Sequence, residues 1–245
     1  MRFTIPQPML KGLVSVLSSV TSIAKMNCTE KGLETVCVDA AHVAMVGFTI
    51  PADALTGYEA ADEFGIDLEK IQGFLKTSSP GDDIEVSIDD RLTMNSGNIT
   101  RRMALIDISD IRTPKTPDIT MPVTIKTDAD RLLTAIRGIQ DLGDTITIKV
   151  KDGTFSMASE DELSSAEYDL TSKDVGVEIN GIGRGAVAMS VFPKEYVISA
   201  IKSIPVSYKV TINLDNDYPV RIDFTDGTVS GFYFIAPRID SEGSE

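Results

Sequence analysis

Apolar positions recur along this chain with two different periods, and the periods predict short helices separated by runs of strand. Met9, Leu10, Leu13, Val16, Leu17 and Val20 repeat at helical spacing and predict a buried stripe on a helix starting near residue 8. Lys11, Ser15, Ser18, Ser22 and Lys25 share the opposite face at that spacing, and residues 8–25 hold no Asp or Glu. A second helix over 67–77 turns Leu68, Ile71 and Leu75 inward and leaves Lys70 and Lys76 outside. A third over 128–140 buries Leu132, Leu133, Ile136 and Ile139, presents Arg131 and Arg137, and has Thr127 with Asp130 as a capping box. A fourth over 193–203 opens on Pro193, a favoured first helical position, and carries Lys194 and Lys202. Asp67, Glu69, Asp130 and Glu195 fall near helix starts, where a carboxylate suits the helix dipole.

Between the helices the period falls to two. Ile84-Val86-Ile88, Ile146-Ile148-Val150, Val210-Ile212-Leu214 and Val220-Ile222-Phe224 alternate with polar residues, as half-buried antiparallel strands do. Asp152-Gly153 and Asp226-Gly227 are hairpin turn signals. The order helix, strands, helix, strands occurs twice, which points to an internal duplication. Thr4-Ile5 stands before the first helix as Thr124-Ile125 stands before the third, and Lys76 with Ile84-Val86-Ile88 mirrors Lys202 with Val210-Ile212-Leu214. The proline-broken run Arg112-Thr-Pro-Lys-Thr-Pro-Asp118 joins the halves. The expected domains are 1–111 and 123–245, with a connector at 112–122.

Composition narrows the function. Of 245 residues, 37 are acidic and 23 basic, for a net charge of −14. Taken whole, that argues against phosphate binding, so the acid-free face of the first helix stands out. No apolar run is long enough to span a bilayer, and Met1-Arg-Phe-Thr-Ile-Pro6 lacks the features of a signal peptide; a cytoplasmic protein is expected. Cys28 and Cys37 form no CxxC pair and read as small buried hydrophobes. There is no GxSxG elbow, phosphate-loop motif or metal-binding His pair. Gly181-Ile-Gly-Arg-Gly185 lacks dinucleotide-site spacing, and Glu160-Asp-Glu162 reads as a solvated acidic loop. No enzyme, cofactor or metal is expected.

The one histidine, His42, lies in Asp39-Ala-Ala-His-Val-Ala-Met-Val46, followed by Gly47-Phe-Thr-Ile-Pro51. With Phe232-Tyr-Phe-Ile-Ala-Pro-Arg-Ile239 near the C-terminus and Asp107–Ser109 before the connector, this segment resembles DNA sliding clamps of the proliferating cell nuclear antigen family, archaeal type. The resemblance implies an α+β chain of two similar domains, with antiparallel sheets and helices on one face. Three chains then close a ring, with helices lining the hole and sheets outside. It places Lys11, Lys25, Lys70, Lys76, Arg131, Arg137, Lys194 and Lys202 toward double-stranded DNA, gripped without reading sequence. Gly73 and Thr134 stand where family members often carry basic residues.

By the same resemblance a docking pocket for partner peptides uses His42, Val43 and Met45, then Ile119 and Met121, then Tyr218, Pro219, Ala236, Pro237 and Ile239. Its partners are DNA polymerase, flap endonuclease, DNA ligase and a clamp loader, in a nucleoid-associated cytoplasmic setting. Ring closure pairs edge strands matched to Ala104–Asp110 (Ala104, Leu105, Ile106, Asp107, Ile108) and Ser164–Thr171 (Ser165, Ala166, Glu167, Tyr168, Asp169, Leu170). Two alternatives stay open at this point. One is a subunit of a heterotrimeric replication or checkpoint clamp. The other is a peptide-binding module that forms no ring.

Overall fold

Each helix begins where a strand ends on a proline or an aspartate. Pro6 ends β1 (Arg2–Pro6) before α1 (Gln7–Ser18), and Asp67 ends β5 (Phe64–Asp67) before α2 (Leu68–Leu75). Asp128 ends β9 (Val123–Asp128) before α3 (Ala129–Ile139), and Pro193 ends β14 (Val187–Pro193) before α4 (Lys194–Ser203). The other strands are β2 (Ile23–Thr29), β3 (Gly32–Val38), β4 (Ala44–Pro51), β6 (Asp83–Ile88), β7 (Arg91–Ser96) and β8 (Ile99–Ala104) in the first half of the chain. The second half adds β10 (Thr145–Lys151), β11 (Thr154–Glu160), β12 (Ser165–Thr171), β13 (Glu178–Asn180), β15 (Lys209–Leu214), β16 (Val220–Thr225) and β17 (Ser230–Ile235). The computed structural model describes residues 1–60, 62–183 and 185–238. Among them no helix is long and apolar enough to cross a membrane.

The chain divides into two compact units, Met1–Thr116 with Asp226–Gly231, and Pro117–Thr225 with the segment from Phe232 onward. In the first unit β1-β6-β7-β8 form one antiparallel sheet, and β5, β2, β3 and β4 pair in that order. Helix α1 packs on α2, β4 and β1. Leu10, Leu13, Val16 and Leu17 meet Ile71 and Phe74 in a core with Phe3, Ile5, Val86 and Met94. In the second unit β14-β10-β11-β12 form a sheet, and β13, β9, β15, β16 and β17 pair in order. There α3 packs on α4, β12, β11 and β9. Removal of these apolar side chains from water is the main favourable term in each unit.

The duplication holds element by element, with β13 as the one insertion. Strand β1, the helix after it, two hairpin strands and the second helix of the first unit recur as β9, α3, β10, β11 and α4. The register corrects one expected match. Ile5 pairs with Ile84 two residues before α1, and Thr127 pairs with Val210 two residues before α3. Thr127, not Ile125, is therefore the counterpart of Ile5.

Three further expectations change. Helix α1 stops at Ser18, because the Ser19 hydroxyl donates to the Val16 carbonyl at 2.7 Å and Val20 and Thr21 both bond the Leu17 carbonyl. Hydroxyl-rich sequence offers the backbone these alternatives to helix. Ser22 and Lys25 are thus not on the α1 face, and Lys25 stands on β2, paired with Glu63 at 3.0 Å. Pro193 is the residue before α4 rather than its first turn, since it still pairs with Thr145 in the sheet. The capping box at Thr127 and Asp130 is absent. Asp128 precedes α3 with no side-chain cap, while Thr127 points into the core, 2 % exposed, its hydroxyl without a partner among the described residues.

A buried hydroxyl without a partner costs its full desolvation. Thr127→Val, which keeps the shape, is expected to raise the unfolding free energy by about 1 kcal/mol. Urea denaturation checks it: the midpoint rises with an unchanged slope.

Candidate DNA-facing, edge and docking surfaces

The helix cations separate into free and engaged groups. Lys11 on α1, Lys76 at the end of α2 and Arg137 in the last turn of α3 are exposed, and α1 has no acid in its first turn. Lys70 sits 2.9 Å from Asp67, whose carboxylate also caps α2 by accepting from the Lys70 amide at 3.0 Å. Burial pushes the Asp67 carboxyl up, but the hydrogen bonds and charge of Lys70 outweigh this and hold it below the usual range. Arg131 donates to the Val175 carbonyl at 2.8 Å, Lys194 to the Leu142 carbonyl at 3.0 Å, and Lys202 to the Gln140 side chain at 2.7 Å. Those three groups brace loops, and Lys25 is paired on β2.

Gly73 has a packing reason. A Cβ there would lie 3.0 Å from a guanidinium nitrogen of Arg101, which donates to the Lys70 carbonyl at 3.2 Å. The absent side chain makes room for that arm. A groove of about 590 Å³ runs between α2 and β8, lined by Lys70, Gly73, Arg101, Arg102 and the carboxylates of Asp67 and Glu69. Sequence reasoning missed Arg101 and Arg102. The signal was the Gly97-Asn98 turn after the alternating Leu92 and Met94, which sets β8 beside β7.

Edge strands carry unpaired backbone groups, and three of them are closed here. Strand β1 exchanges two bonds with Thr56, from the Thr4 amide at 2.8 Å and to its carbonyl at 3.1 Å. Strand β5 receives the Ile106 amide at the Gly65 carbonyl, 3.0 Å, where a Cβ on Gly65 would strike the Ile106 carbonyl at 2.4 Å. Strand β14 is sealed by Asn216, whose amide group donates to the Val187 carbonyl at 3.1 Å and accepts from the Met189 amide at 2.9 Å. Asp217 and Arg238 then donate backbone amides to the Met189 and Val191 carbonyls. Among the described residues no backbone partner lies on the outer side of β8, or of β12 along 165–169.

The expected edge segment at Ala104–Asp110 is therefore corrected. Only Ala104 belongs to the open strand. Leu105 leads away, Ile106 is bound to Gly65, and Asp107 accepts the Ser109 amide at 2.9 Å to start a 3-10 turn over Ile108–Asp110. Ser165, Ala166, Glu167, Tyr168, Asp169 and Leu170 do lie on an edge strand, β12.

The docking residues of the first unit sit on one tight turn. The Asp39 carboxylate accepts the amides of Ala41, Val43 and Ala44 at 2.7–3.0 Å. His42 sits at its tip, exposed, with φ 58°, a left-handed conformation uncommon outside glycine. Val43 and Met45 are half-buried beside it. In the second unit Tyr218 is 40 % exposed, Pro219, Ala236, Pro237 and Ile119 are half-buried, and Met121 is buried. The Tyr218 amide bonds the Ser190 hydroxyl at 3.1 Å, so 217–219 and 236–238 are both tied to β14, whose Met189 is 40 % exposed. Ile239 lies outside the described residues. No cluster of metal-ligating side chains occurs among the described residues.

Comparison with known proteins accounts for this combination. The family model for the proliferating cell nuclear antigen N-terminal domain matches residues 4–104. The DNA polymerase sliding clamp of Methanocella arvoryzae is 30% identical over 241 residues, 95% of this chain and 96% of its own. That of Thermoplasma acidophilum is 27% identical over 242 residues, 94% of this chain and 96% of its own. Among solved structures, A. fulgidus proliferating cell nuclear antigen bound to the C-terminal region of FEN-1 superposes with a TM-score of 0.89 at 30% identity, over 98% of this chain and 99% of that one. With two like-built units, exposed cations on its helices and the open edges of β8 and β12, the chain belongs to the proliferating cell nuclear antigen family of DNA polymerase sliding clamps.

Proposed function

We propose that this chain is a subunit of a ring that encircles double-stranded DNA and tethers replication and repair enzymes to it. The observation that carries this reading is the pair of long open edges, β8 in one unit and β12 in the other, in a chain that closes β1, β5 and β14 by specific bonds. An edge left open on each unit suits a head-to-tail assembly, and closure removes both liabilities at once. Three chains is the number the family resemblance implies.

Lys11, Lys76 and Arg137 are free to meet phosphates, and Lys70, Arg131, Lys194 and Lys202 add positive charge while bracing loops. With so few free cations, attraction to DNA is weak and the hold is topological. Such contacts carry no sequence information. The clamp acts as a processivity factor and performs no chemistry itself. A ring that must open for DNA needs an ATP-driven loader, since this chain has no nucleotide motif. Partner peptides dock on His42, Val43 and Met45, and on Ile119, Met121, Tyr218, Pro219, Ala236 and Pro237, with apolar anchors supplying most of the affinity. A flap endonuclease is the partner best supported, from the bound A. fulgidus relative. DNA polymerase and DNA ligase are expected to use the same surfaces.

Light scattering across a dilution series is expected to give a stable mass of three chains; a persistent monomer overturns the homomeric ring. Loaded on nicked circular DNA, the protein is expected to survive a high-salt wash and to leave on linearisation, because its hold is topological rather than ionic. Asp39→Ala removes the two carboxylate oxygens that hold three amides of the docking turn. It should weaken a flap-endonuclease C-terminal peptide by about 5- to 150-fold by calorimetry, from the loss of about 1–3 kcal/mol of turn order, with the assembled mass unchanged.

A further inference from the structure

Docking residues of the second unit come from two neighbouring strands, and one arginine ties those strands together beside them. Pro219 leads into β16, and Ala236 and Pro237 lead out of β17, which pairs with it. Alternate residues of a strand share a face. Val220, Ile222 and Phe224 of β16 are buried in the core, and so are Tyr233 and Ile235 of β17. Pro219, Arg221 and Asp223 therefore lie on the face away from that core, in phase with Phe232, Phe234 and Ala236. On that face the Arg221 guanidinium lies over two rings, 5.4 Å from the centre of Phe232 and 5.2 Å from that of Phe234. The rings meet edge-on at 5.7 Å. Phe234 faces away from the core yet is only 5 % exposed, and Arg221 is part of its cover.

The arm is held in place. Arg221 Nε lies 2.8 and 2.9 Å from the two oxygens of the Asp223 carboxylate, and Nη2 lies 2.8 Å from one of them. Asp223 is itself aimed, since it accepts from the Asn213 carboxamide at 3.0 Å, whose oxygen accepts from the Thr124 hydroxyl at 3.1 Å. Thr124 stands on β9 and Asn213 on β15, so the line of contacts crosses four strands and ends on the ring pair of β17. A lone ion pair at a surface contributes little. A planar guanidinium held in a fork and laid on aromatic faces does more, because each contact fixes the plane for the others.

We infer that Arg221 is a positioning residue of the docking surface. It sets the strand that carries Pro219 against the strand that carries Ala236 and Pro237, and it holds the Phe234 ring, two residues before Ala236, in one orientation. The plane of the guanidinium does this rather than its charge, which Asp223 already neutralises. Beyond the strand ends the same segments are fixed by other bonds, from the Tyr218 amide to the Ser190 hydroxyl and from the Arg238 amide to the Val191 carbonyl. A partner peptide thus meets a surface that is ordered before it arrives, and less of its binding energy is lost in ordering it. This inference rests on the docking reading above and adds a residue that acts through Phe232 and Phe234 without having to touch the peptide.

Calorimetry with a flap-endonuclease C-terminal peptide tests it on the full chain. Arg221→Ala is expected to weaken the peptide by about 5- to 30-fold, the scale of two cation–ring contacts, with circular dichroism and assembled mass unchanged. Arg221→Lys keeps the charge and loses the fork. It is expected to weaken the peptide nearly as much, and the loss is expected to persist at high salt. Asn213→Ala, one strand further from the rings, is expected to weaken the peptide in the native background and to change nothing further beside Arg221→Ala, because both act through one plane. If Arg221→Ala fails to fold, Arg221→Lys and Asn213→Ala each carry the test alone. Full affinity in Arg221→Lys, or effects of Asn213→Ala and Arg221→Ala that simply add, overturns the positioning role while the docking surface stands. Equal affinity of the native chain and Arg221→Ala overturns it outright. A native chain that binds no peptide brings down the docking reading, and the inference with it.

Discussion

A β-strand at the edge of a sheet must do something with its backbone amides and carbonyls, and that requirement organises much of this molecule. Where the chain has no use for an edge, it spends particular residues to close it: Thr56 on β1, Ile106 against Gly65 on β5, the carboxamide of Asn216 on β14. The closures differ in chemistry and serve the same end, since an exposed row of donors and acceptors invites pairing with any other chain. Against that background β8 and β12 stand out as the long edges left open, beside the three-residue β13.

The charge of the chain follows the same division. An acidic protein of net charge −14 is a poor phosphate binder when read as a whole. Its helices nonetheless carry Lys11, Lys76 and Arg137, which have no hydrogen-bond or ion-pair partner among the described residues, while Arg131, Lys194 and Lys202 tie their heads to carbonyl or amide oxygens of nearby loops. Arg131 shows how one cation serves two ends. It holds the Val175 carbonyl just after β12, and its charge adds to the bonds from Thr171 that keep the Asp174 carboxyl below the usual range. Asp174 in turn ends the open edge.

Several features were legible in the residues alone. The stripes Leu10-Leu13-Val16-Leu17 and Leu132-Ile136-Ile139 located two helices, because period sets which side chains share a face. The alternations at Ile84-Val86 and Ile146-Ile148-Val150 located strands for the same reason. The segment around His42 carried the family resemblance. Other features were not legible. The Lys25 position looked helical because Ser22 and Lys25 continued a spacing, and only hydroxyl bonds at Ser19 and the pairing of β2 ended it. Thr127 looked like a cap because threonine before a helix usually is one; its place opposite Val210 turned it into the core instead. Arg101 and Arg102 drew no notice in the sequence, because only the pairing of β7 with β8 puts them on an edge strand beside α2.

The sequence by itself determined the periods, the repeated order of elements, the turns that glycine and aspartate allow, and membership of a family through short matched segments. These are local properties, set by the conformational preferences of a few neighbouring residues and by which faces are apolar. Which edges are open and which cations are engaged were decided by tertiary structure alone. Each depends on whether a distant backbone group has already taken the hydrogen bond, and a strand's own sequence does not record that.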